Sequence, residues 1–122
     1  MSHIIEILEN SEIIKITHKR IMTIDQRTQV LHELCSDFNL FKRFRLLIDV
    51  RFVKQEMTDI EQVIFGKYIS SRSELKTAVV AILVNIEQPI DEVINQEASK
   101  EGLTIKQFGN EEQAIEWLSI KN

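Results

Sequence analysis

Two short runs near the start of the chain, residues 4–8 and 12–18, are rich in isoleucine and alternate apolar with polar positions. Successive side chains of a strand point to opposite faces, so Ile5 and Ile7 share one face, as do Ile14 and Ile16, while Glu6, Lys15 and Thr17 point the other way. Glu9, Asn10 and Ser11 between the runs have turn chemistry, and the pair reads as an antiparallel hairpin. The period then changes. Val30, Leu31, Leu34, Cys35 and Phe38 recur at helical spacing behind Thr23 and Gln26, which stand as a capping box, and Asn39 supplies a stop. A strand's length and alternation return at residues 44–51, where Asp49 leads into a loop.

A second capping box, Thr58-Asp59-Ile60-Glu61, opens a helix with Ile60, Val63, Ile64 and Tyr68 as its expected inward face. Gly66 in its middle costs about 1 kcal/mol relative to alanine and predicts close packing against a neighbour. Residues 70–74 read as a loop. Residues 77–84 are apolar on both faces, the mark of a central, doubly covered strand. Pro89 suits the first turn of a helix over residues 90–100 that buries Ile90, Val93, Ile94 and Ala98, and Gly102 stands where a left-handed residue commonly ends a helix. Residues 103–108 form the last strand. Asn110 caps a final helix with Glu111 and Glu112 at the positive end of its dipole, Ala114, Ile115 and Leu118 on its inner side and Trp117 beside them.

The order ββαβαβαβα predicts an α/β fold with a five-stranded, mostly parallel sheet and right-handed crossovers, the opening hairpin adding one antiparallel edge strand. The first three strands each carry one greasy face and one bearing Glu6, Lys15, Thr17, Arg45 or Asp49. Helices mainly on one face follow from that pattern, with the other face partly covered or meeting a partner. No repeat or linker divides residues 1–122, which form one domain.

Composition narrows the class. A hydrophobic share of 43% with 28% charged residues is ordinary for a globular chain of 122 residues. A net charge of −4 argues against nonspecific nucleic-acid binding, which relies on broad positive potential. The single cysteine, Cys35, makes no internal disulfide, no apolar run approaches a membrane span, and Glu6 and Glu9 interrupt any signal-peptide core. The expected location is the cytoplasm.

In this order, Leu46-Leu47-Ile48-Asp49-Val50 and Ala78-Val79-Val80-Ala81 resemble the strands of the STAS and SpoIIAA-like family of small α/β domains. The ending from Phe108 through Glu111, Glu112, Ala114, Trp117 and Leu118 looks like that of the family's uncharacterised SpoIIAA-like branch. The resemblance covers nearly the whole chain and implies a regulatory or protein-interaction domain without catalysis. In the anti-sigma-factor-antagonist branch, a phosphorylated serine in an Asp-Ser-x-Gly type motif switches partner binding at the helix that follows. Thr58 falls about where that serine stands, but Met57 precedes it and Asp59-Ile60 follow it, so the motif is missing. Thr58 also explains itself as an N-cap, and Asp59 and Glu61 repel added phosphate.

Candidate chemistry is sparse. Ligands of open α/β sheets lie beyond the carboxyl ends of the strands, where the chain places His18, Lys19, Arg20, Arg51 and Lys54. A rim of these residues would suit a small anionic or lipid-like ligand; solvated loop charges are the competing explanation. Lys42, Arg43 and Arg45 form a second basic cluster, expected to be a solvated edge. His3, His18 and His32 lack metal-ligand spacing, and Cys35 sits on an apolar helix face, so neither a metal, a cofactor nor an enzyme activity is expected. Asp49, considered as a general base, has no nucleophile beside it in sequence. The helix from Thr58 carries Phe65 and Ile69 off its expected inward stripe, and these become the candidate surface for a protein partner or a second copy.

Overall fold

The computed structural model describes residues 3–9, 11–38, 43–87 and 92–120. The expected stop at Asn39, the helix start at Pro89 and Ile90, and Lys42 lie outside the described residues. The hairpin forms as read: β1 (His3–Ile7) and β2 (Ile13–His18) pair antiparallel with Ile5 opposite Ile16. Then follow β3 (Arg20–Met22), α1 (Ile24–Asp37), β4 (Arg45–Asp49), β5 (Val53–Gln55) and α2 (Asp59–Ser71). The remainder is β6 (Val79–Leu83), α3 (Glu92–Lys100), β7 (Thr104–Phe108) and α4 (Glu111–Ile120).

The main sheet has the order β1-β2-β4-β6-β7, and every pair after the first is parallel. Each parallel strand is added on the same side of its predecessor. Right-handed crossovers then put all three connecting helices on one face. The packing agrees. Val30, Leu31 and Leu34 of α1, Phe65 and Ile69 of α2, and Ile94 and Ala98 of α3 join Ile14, Ile16, Leu46, Val80 and Ile82 in one core. After β7 no strand follows in the sheet, so α4 is free to take the opposite face. There Ala114 and Leu118 meet Ile13, Leu47, Val79, Ala81 and Leu83. All five residues of β6 are buried, as its two-faced apolar sequence requires.

Both capping boxes close as read. Thr23 Oγ1 accepts from Gln26 N at 3.2 Å, and Thr58 Oγ1 accepts from Glu61 N at 3.1 Å, each answered by the N3 side chain bonding back to the cap amide. Asn110 Oδ1 accepts from Gln113 N at 3.0 Å at the start of α4. Gly102 ends α3 with φ +100°, a conformation that disfavours any side chain.

Three local expectations are corrected. First, β3 and β5, each of three residues, pair parallel in a separate two-stranded sheet beyond the carboxyl ends of β2 and β4. Second, α2 extends to Ser71 and a 3-10 turn spans Ser73–Leu75, where a loop was expected. Third, α2 is turned about its axis relative to the expected stripe. Ile60 and Ile64 are 74% and 54% exposed, while Phe65 and Ile69 are 5% and 8% exposed. Phe65 lies beneath the Arg27 guanidinium of α1, 5.0 Å from its ring centre. Gly66, beside Phe65, faces α3.

That last contact is tight. A β-carbon on Gly66 would fall 2.9 Å from Glu97 Cβ and 3.1 Å from the Ile94 carbonyl oxygen, neither of which can swing aside. Gly66→Ala gains about 1 kcal/mol of helix propensity but pries α2 from α3. A net loss of about 1–2 kcal/mol is expected, read as a lower urea midpoint with an unchanged m-value.

Candidate functional site

Asp49, Lys15 and Arg45 project from β4 and β2 onto the face that α4 covers, where charged groups need partners. They find them at the two ends of the helix. Lys15 Nζ lies 3.0 and 3.2 Å from the Glu111 carboxylate oxygens at the N-terminus of α4, and Arg45 donates to the Leu118 carbonyl near its C-terminus. Glu111 at the N-terminus and Arg45 at the C-terminus complement the helix dipole, and Lys15 is held by the Glu111 carboxylate. Asp49, 2% exposed, takes a two-point ion pair from Arg51, with Nε and Nη2 at 3.0 and 2.8 Å, and its Oδ1 also accepts the Arg51 amide at 3.1 Å. Arg51 Nη2 reaches Glu111 at 3.3 Å and completes a Lys15–Glu111–Arg51–Asp49 chain.

Burial works to raise the Asp49 pKa, but the Arg51 hydrogen bonds and charge outweigh it, and the carboxyl is held below its usual value. A doubly bonded, well-stabilised carboxylate is a poor proton acceptor. The geometry therefore makes Asp49 an anchor for the loop and for α4.

Beyond this chain of charges, Arg51 lies 5.1 Å from the centre of the Phe52 ring. The two line an open groove at the carboxyl end of the sheet with Val84, Asn85, Ile86 and Gly109. Phe52 and Ile86 are 68% and 74% exposed. Neither residue stands out in the sequence, because isolated apolar residues in loops carry no periodicity.

The expected basic rim does not assemble. His18 is buried on the face under α1, Arg51 is committed to Asp49 and Glu111, and Lys54 sits on β5 within 3.9 Å of Glu56. Lys19 and Arg20 are exposed, Arg20 with φ 64°, a left-handed backbone rare for a residue with a side chain. Ligands favour the point where strand order reverses, and this monotonic sheet has none. In the second basic cluster, Arg43 donates an exposed hydrogen bond to the Thr77 carbonyl at 2.6 Å, while Arg45 is bound to α4.

Of the partner candidates, Thr58 is exposed and its hydroxyl is the N-cap of α2; Phe65 and Ile69 are core residues, so the outward apolar pair of α2 is Ile60 and Ile64. Cys35 is buried and burial pushes its thiol pKa up, which suits packing. Among the described residues no group of three or more His, Cys, Asp and Glu side chains is placed to hold a metal. None of the described helices is long and apolar enough to cross a membrane.

Two buried polar side chains escaped the sequence reading. Arg27, 4% exposed, precedes Val30, Leu31 and Leu34 by three, four and seven residues and so lies on their stripe. That spacing was the available signal. Asn95 follows Ile94 on α3, and both polar atoms of its side chain are buried without a partner among the described residues.

Burial, with Arg27 and His3 adding positive charge nearby, pushes the His18 pKa down to about 3, against a partial opposing pull from Asp49. The folded protein holds this imidazole neutral while the unfolded chain protonates near pH 6.5. Stability from His18 is thus fully present above pH 6.5 and falls as pH drops toward 3, by at most about 1.4 kcal/mol per pH unit. Urea unfolding at pH 7 and pH 5 is expected to show this slope, and His18→Leu is expected to flatten it. Arg51→Ala leaves Asp49 buried without its counterion and is expected to cost about 2–3 kcal/mol at pH 7, less at pH 3, where Asp49 can protonate.

No family model and no curated protein matches this sequence. Among solved structures, the chain is similar to an uncharacterised protein of the DUF3478 family with a SpoIIAA-like fold, from Shewanella loihica PV-4. The likeness covers 95% of this chain and 91% of that one, with a TM-score of 0.61 at 18% sequence identity. The α/β architecture, with one antiparallel and three parallel pairs in its main sheet and helices mainly on one face, is a SpoIIAA-like fold.

Proposed function

We propose that the chain is a non-enzymatic, STAS-like regulatory or protein-interaction domain that meets its partner through the outer face of α2. The observation that supports this reading is the two-sided apolar character of that helix. Phe65 and Ile69 are sufficient to seat it on the core, yet Ile60 and Ile64, one turn apart on the solvent side, are 74% and 54% exposed. Thr58, Asp59 and Glu61 around the first turn provide a polar, acidic border. Paired isoleucines with such a rim resemble the anchor and edge of a small interface. The surface lies on the helix that the family resemblance indicated, one face round from the expected residues. The cytoplasm remains the proposed location.

The test is a photo-crosslinking side chain at position 64 in the native cell, with position 106 on β7 as a control. A discrete crosslinked species at 64 that is absent at 106, and that disappears in Ile60→Asp, is the expected result. Equal labelling at both positions would refute the reading. Sedimentation of the purified protein then separates self-association from a foreign partner, since Ile60→Asp is expected to dissociate a dimer built on α2.

A further inference from the structure

Between the sheet and the layer of α1, α2 and α3 lies an internal cavity with Ile16, Leu31, Leu46 and Ile82 among its walls. Three polar side chains, His18, Arg27 and Asn95, interrupt that apolar lining. It offers ≈ 40 Å³ to the centres of water-sized groups, where one water needs about 10–15 Å³, so about three heavy atoms in a row can be held. Asn95 and Ile105 also line an open groove beside α3 and β7, together with Gln96, Ser99 and Gln107. These two side chains stand as the partition between groove and cavity.

We propose that the cavity is a binding site for a very small molecule with a donor–acceptor edge and an apolar end of about one methyl group, such as a short primary amide, and that Asn95 reads that edge. The carboxamide of Asn95 presents an acceptor and a donor side by side, both buried and both without a partner among the described residues. A ligand that offers the complementary pair satisfies both at once; a carboxylate or a ketone supplies acceptors only. Neutral His18 adds a further hydrogen-bonding group without adding charge. The apolar walls take the methyl end of the ligand, and rotation of the Asn95 and Ile105 side chains opens the route from the groove. This site is separate from the outer face of α2 and does not rest on the interaction reading.

Acetamide is the probe, because its four heavy atoms come close to the capacity of the cavity and its amide matches Asn95. Acetone has the same shape with a methyl group in place of the amide nitrogen. Titration followed through methyl NMR signals is expected to give saturable shifts at Ile16, Leu31, Leu46 and Ile82 with acetamide, and binding about tenfold weaker with acetone. In Asn95→Leu the preference for the amide is expected to vanish. Equal binding of amide and ketone, or shifts that grow linearly and scatter over the surface, would overturn the proposal. That comparison is made on the unaltered protein, so it decides the matter even where Asn95→Leu fails to fold.

Discussion

Handedness is the constraint from which the rest of this structure follows. A right-twisted strand returns to a parallel neighbour through a right-handed crossover, and here each new parallel strand joins on the same side of the last. The three connecting helices have no choice of face. One side of the sheet receives the whole crossover layer and the larger core, and β6, apolar on both faces, is left needing cover on the other. The chain meets that need with its final helix, which is joined to β7 by a short turn and is not bound by the crossover rule. Leu47, Leu83 and Leu118 show no solvent exposure there, and leaving such leucines wet would sacrifice about 1.5–3 kcal/mol each.

A single helix over a sheet face cannot bury everything, and the sequence places polar residues where cover is incomplete. Lys15, Arg45 and Asp49 all lie on the α4 side, and each takes part in holding the helix or its approach. Glu111 at one end of α4 and the carbonyl groups at the other supply the opposing charge, so cations and carboxylates alternate along the seam. This explains why an aspartate at the end of a central strand is structural here. Its charge is compensated by a guanidinium two residues later, which also pairs with Glu111 from α4.

The elements that could be read from sequence were those written in local chemistry. Two capping boxes, the Asn110 cap and the left-handed Gly102 depend on residues within one turn of each other, and each is found in place. The orientation of α2 was not legible in the same way. Ile60, Val63, Ile64, Phe65, Tyr68 and Ile69 cover so wide an arc that the stripe has no clear direction. Gly66 held the missing information: a close contact was foreseen, but not that it fixes the adjacent Phe65 and Ile69 inward. The strands β3 and β5 are too short for alternation to register, and the Arg51–Asp49 pair depends on a turn whose shape no motif announces. The rim of cations failed for a tertiary reason, since strand ends locate a group in sequence without fixing which way it points.

The small β3–β5 sheet has a mechanical consequence. β3 runs directly into the Thr23 cap of α1, β5 leads through Met57 to the Thr58 cap of α2, and Glu56 N donates to the Met22 carbonyl at 3.0 Å between them. The two helix starts are therefore geared together by a backbone clasp. The buried Arg27 side chain, one turn into α1 and stacked on Phe65 of α2, ties the same two helices together from the other side.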